Sequence, residues 1–95
     1  MLMLLFLACS ASYESDMRVW CDAPTASGMT KADPAVKWMV LASYLSKHLS
    51  NGEVLALMKQ GKSLPEKDRA AFLREKAAKV GITKCQLADV LELQP

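Results

Sequence analysis

Charge of one sign, long apolar runs and chain-breaking residues are all scarce in this sequence, and each shortage removes a class of protein. Twelve Lys and Arg stand against ten Asp and Glu, a formal charge of +2, so the overall basicity of a dedicated nucleic-acid binder is missing. With four Gly, four Pro and two each of Phe, Trp and Tyr, the chain is neither collagenous, Pro-rich nor built of aromatic repeats. There is no Gly-rich phosphate loop, no nucleophile elbow and no carboxylate pair with an evident purpose. His48 is the single histidine and has no acid beside it in the local sequence. It is expected at the polar edge of a helix C-terminus, where its charge suits the dipole. Catalysis, a cofactor and a bound metal are therefore not expected. What is present is a globular balance, 52% apolar and 23% charged residues in 95, enough for one small domain and too little for a second core.

Residues 1–8 read Met-Leu-Met-Leu-Leu-Phe-Leu-Ala and run directly into Cys9 and a polar stretch. A bilayer span needs about 20 apolar residues, so this run is too short to cross one but suits the h-region of an export signal. Phe6-Leu7-Ala8-Cys9 resembles the lipobox of bacterial lipoproteins, in which a small residue precedes a cysteine that is acylated and becomes the mature N-terminus. Ala8 and Cys9 fit that pattern, whereas the family usually has Leu at the place of Phe6 and a small residue at the place of Leu7. The resemblance implies lipidation of Cys9 and a periplasmic or membrane-anchored location. Cleavage near Ala11 by ordinary signal peptidase, releasing a soluble protein, is the other export route. Only the α-amino group supplies positive charge ahead of the run, which leaves open a translation start further upstream. A cytosolic reading also stays open, with residues 1–8 as a buried first element or with the true start at Met17.

Three cysteines are an odd number until Cys9 is assigned to the signal or its lipid. Cys21 and Cys85 then form the one possible intramolecular pair. In an oxidising compartment a bridge between them would close nearly the whole folded chain and contribute roughly 4 kcal/mol on the chain-entropy model. Two thiols in a reducing cytosol are the alternative. A metal site ranks below both, because Cys21, Cys85 and His48 lack the short ligand spacing of zinc motifs.

Along the chain, residues 9–32 are rich in Ser, Ala, Thr and Asp and read as a flexible tether, with Trp20 and Cys21 as exceptions that a disulfide would pin. Residues 33–95 read as an all-α domain, a compact bundle of about four short helices. Asp33 and Pro34 open a helix to about Leu49 with Trp38, Leu41, Ala42, Leu45 and Leu49 on one face, apolar over enough of its circumference to be central. Val36, Met39, Val40 and Tyr44 lie off that stripe, as core or as a surface patch for a partner. A second helix runs from Gly52 to Gln60 with Gly61 as its cap. A third starts at a Ser63/Glu66 capping box and ends at Val80 before Gly81, with Ala70, Leu73, Ala77 and Val80 inward. The last starts at a Thr83/Gln86 capping box with an Ile82/Leu87 staple and turns Leu87, Val90 and Leu91 inward. Cys85 then sits in its first turn, where the amide dipoles would lower a free thiol's pKa. A thiol enzyme using Cys85, with His48 as base, is the catalytic alternative.

The stretch Ala77 to Thr83 with Leu87 and Val90 resembles a DNA-binding helix-turn-helix over about 20 residues, through Ala77, Gly81, Ile82, Leu87 and Val90. That resemblance implies a cytosolic regulator reading bases with Lys84 and Gln86. Asp89 and Glu92 on the same helix would meet phosphates and repel them, so nucleic acid is disfavoured as a partner. Residues 59–84 hold eight Lys or Arg against three Asp or Glu. Lys67, Arg74, Lys76 and Lys79 read as a basic face for an anionic membrane surface or an acidic protein, or as a solvated face with a Glu75–Lys79 pair. The signal, the cysteine beside Trp20 and the Gly-Ile-Thr-Lys-Cys-Gln-Leu-Ala stretch together are similar to small uncharacterised exported proteins of Gram-negative bacteria, a likeness that implies an envelope address and no activity. The function expected is that of a small exported or lipid-anchored binding or structural module.

Overall fold

Ser12 opens the first helix: its hydroxyl accepts from the Ser15 amide at 3.0 Å, and Glu14 and Asp16 place negative charge in the first turn. The computed structural model describes residues 12–93 and is all-helical over them. Helix α1 is Tyr13–Ala26, followed by a single 3-10 turn at Met29–Lys31, then α2 (Lys37–His48), α3 (Gly52–Ser63), α4 (Glu66–Ala78) and α5 (Gln86–Glu92). The signal and lipidation readings at residues 1–8 and Cys9 lie outside the described residues.

Most of the expected tether is therefore a helix, and it is the one around which the others assemble. The backbone of α1 packs against α2, α3, α4, α5 and the 3-10 turn. Met17, Trp20, Cys21 and Pro24 recur at helical spacing, and all four are buried. Pro24 masks the pattern. It sits in the last turn and withholds the N–H that the Trp20 carbonyl would take in a regular helix. Gly28, at φ 84°, then reverses the chain in the left-handed conformation that favours glycine.

Helix α2, read as central, is peripheral. Its backbone packs on α1 and the 3-10 turn, and no backbone packing joins it to α3, α4 or α5. Leu41, Leu45 and Leu49 are buried as expected, while Met39 is 68% exposed. The helix also starts later than expected. Asp33 closes a turn instead, its Oδ1 accepting from the Ala35 amide at 2.9 Å and its carbonyl from the Val36 amide at 2.9 Å.

Asn51 caps the helix it precedes. Its side-chain oxygen accepts from the Glu53 and Val54 amides at 3.0 and 3.2 Å. Helix α3 passes through Gly61, so that glycine is no cap. It is buried, and a Cβ there would stand 3.6 Å from the Phe72 ring. Neither expected capping box forms. Ser63 donates to the Gln60 carbonyl at 2.7 Å, and α4 starts after Pro65 with no side-chain cap. Gln86 reaches away from its own helix, and its Oε1 accepts from the Thr25 amide and hydroxyl at 3.0 and 2.8 Å. A tertiary contact has displaced a local one, and α5 begins only after Cys85.

The end of α4 matches expectation. Ile82 donates to Ala77 at 3.0 Å and Gly81 to Ala78 at 3.1 Å around a Gly81 φ of 81°, the Schellman arrangement. The inward set Ala70, Leu73 and Ala77 is buried. These small side chains let α5 lie close against α4.

Candidate functional site: an apolar groove beside a buried disulfide

Cys21 on α1 and Cys85 at the start of α5 are joined in a disulfide, with Cα atoms 4.6 Å apart and 64 residues between them in sequence. Cys21 is fully buried and Cys85 is 4% exposed, so the bridge lies in the core beside Met17, Leu87 and Ala88. The bond overturns the thiol-enzyme reading in this form of the protein, because Cys85 has no free thiolate to offer. His48 is exposed on α2, its ring 4.2 Å from that of Tyr44.

A second long-range device lies at the other end of α1. Asp16 is 2% exposed, and its Oδ2 accepts from the Ser50 amide at 2.8 Å and the Asn51 amide at 2.7 Å. The carboxylate thus holds the α2–α3 junction to α1. Between the disulfide and this carboxylate, α1 is anchored to α5 on one side and to the entry of α3 on the other.

Because α2 leans on α1 without packing its backbone against the remaining helices, a cleft of about 420 Å³ stands between them. Trp20 of α1 is its most central contribution. Trp38, Leu41 and Leu45 come from α2, and Leu55 and Met58 from α3. The far wall is Phe72 and Leu73 of α4 with Leu87 and Leu91 of α5. Two cations, Lys62 and Arg69, stand at its α3–α4 corner, and no Asp or Glu lines it. Arg69 is fixed there by its own backbone contacts: Nε donates to the Leu64 carbonyl at 3.1 Å and Nη2 to that of Lys62 at 2.9 Å.

The four residues read as a basic face do not act as one. Arg74 is committed to α5, with Nη1 donating to Glu92 at 2.9 Å and Nη2 to Asp89 at 2.7 Å. Hydrogen bonds to Glu92 and then Asp89 raise its pKa against a smaller opposing effect of desolvation, so it is cationic at any physiological pH. Lys76 lies 5.3 Å from the Phe72 ring centroid and 3.8 Å from Glu75, the partner the sequence reading gave to Lys79. Lys67 and Lys79 are exposed. Nine residues separate Lys67 from Lys76, half a turn out of phase, which puts them on opposite sides of α4.

Comparison with protein-family models, with curated proteins and with solved structures finds no match to this chain. Function has to be argued from the geometry alone. Among the described residues no helix is long and apolar enough to cross a membrane. Of the helix-turn-helix pair, Gln86 is held by Thr25, and Asp89 and Glu92 are held by Arg74. Lys84 is left as the exposed base on that side.

The groove was not anticipated from sequence. Trp38, Leu41 and Leu45 were read as a core stripe, and Trp20 was assigned to the tether. The usable signal was the excess of apolar surface on α2, more than one packing partner requires. Lys62 and Arg69 carried no local signal beyond membership of a basic stretch.

Proposed function

We propose that this chain is a small exported protein of the bacterial envelope, lipid-anchored at Cys9 or released by cleavage near Ala11, acting as a non-catalytic binding module. The observation that carries the reading is the buried Cys21–Cys85 bridge, since such a bond forms and persists where thiols are oxidised. The apolar octapeptide at residues 1–8 supports the same address. The groove rather than the basic row is its binding surface, because Arg74 and Lys76 are occupied within the fold and the groove is open.

Regulation of DNA is the second reading. It has less support, as the second helix offers Lys84 beside residues already engaged.

The test is the mature protein from a Gram-negative host, analysed without reduction. Export predicts activity of a C-terminal alkaline phosphatase fusion, a mature N-terminus at Cys9 carrying acyl mass or near Ala11, and a mass with Cys21 and Cys85 oxidised. A full-length cytosolic product with both thiols free overturns it.

A further inference from the structure

We propose that the groove holds a long-chain fatty acid, its alkyl chain against Trp20, Leu45 and Phe72 and its carboxylate at Lys62 and Arg69. This deepens the binding-module reading and rests on it for the choice of site.

Three observations select that chemistry. The cleft measures about 420 Å³, within the range of roughly 300–1,000 Å³ that small-molecule sites occupy. A partner helix of three turns, about 10 Å across and 16 Å long, would displace about 600 Å³ even when half sunk, more than the groove offers. The lining contributes almost no hydrogen-bonding groups apart from Ser46 and the two cations. A polar occupant would lose its water without replacement, whereas an alkyl chain asks for none.

Charge gives the polarity of the ligand. Both cations stand at one corner, with no carboxylate among the lining residues to neutralise them. Among the described residues Lys62 has no ion-pair partner. Arg69 spends Nε and one Nη2 bond on backbone carbonyls, which fixes the plane of the guanidinium and leaves further N–H donors for an anion. One anionic head and one apolar tail is the arrangement that these groups match.

The experiment uses the full chain with its disulfide intact and palmitate below its micellar concentration, displacing a fluorescent fatty-acid probe and read in parallel by Trp20 and Trp38 fluorescence. Saturable binding of one palmitate per chain is expected. Lys62→Glu, at an exposed position, should weaken palmitate about tenfold and leave hexadecanol unchanged. Ala42→Trp, which fills the groove from an exposed position, should abolish both, as should Leu55→Glu should the first variant fold poorly. Failure of the folded protein to bind palmitate overturns the proposal. So does hexadecanol binding as tightly as palmitate, indifference to Ala42→Trp, or an acidic helical peptide that binds the groove and resists displacement by palmitate. None of these results depends on where the protein resides, and the export test is blind to the groove, so the two readings fail separately.

Discussion

The Asp16 carboxylate receives the Asn51 amide at 2.7 Å, 35 residues away in sequence, while the Asn51 side chain caps the helix that follows. A single buried acid on α1 thereby sets where α2 ends and α3 begins. Asp16→Ala should cost about 2–3 kcal/mol, because two inward amides lose a charged acceptor. Urea unfolding should show a lower midpoint with an unchanged slope, and a midpoint equal to wild type would refute the role.

The disulfide closes most of the described chain. Reducing it, or replacing both Cys21 and Cys85 with Ser, should remove about 4 kcal/mol, which for a domain of this size lowers the melting temperature by about 15–30 °C. Thermal unfolding with and without reductant measures this directly. An unaltered transition would show that the bridge contributes nothing beyond packing.

Two glycines should respond to alanine with opposite signs. Gly61 is helical and has ordinary van der Waals room for a Cβ 3.6 Å from Phe72, so Gly61→Ala should stabilise by about 0.5–1 kcal/mol. Gly81 sits at φ 81°, and Gly81→Ala should destabilise by about 1–2 kcal/mol despite open space around it. Equal effects at the two positions would contradict the backbone assignment.

Arg74 binds α4 to α5 through exposed carboxylates, so its contribution should be electrostatic. Its pKa is raised by Glu92 and Asp89. The contribution from the guanidinium is therefore complete below the ordinary arginine value and disappears only in strong alkali. Arg74→Gln should unfold at lower urea than wild type in dilute buffer, a small difference that vanishes near molar salt, where the Debye length falls to about 3 Å. A gap that persists in high salt would indicate lost packing instead.

Several local features were legible before any coordinates. The Ala70, Leu73, Ala77 face and the Gly81 terminator depend on residues within a few positions of one another, and they form as read. The Thr83/Gln86 capping box was equally local and did not form. Gln86 has two donors on Thr25 within reach, and a side chain with one acceptor oxygen takes the pair that the fold presents. Helix α1 was obscured because Pro24 and the acidic residues read as loop, although the apolar spacing of Met17, Trp20 and Cys21 was there to see.

Cysteine arithmetic, the apolar octapeptide and helical periodicity were sufficient by themselves for an all-α chain with Cys21 joined to Cys85. These depend on composition and on spacings that recur every few residues. The groove depended on the tertiary structure. It exists because α2 leans on α1 and no other helix, leaving Trp38, Leu45 and Phe72 around a gap. How two helices diverge is set by packing across dozens of residues, and no short-range pattern encodes that angle.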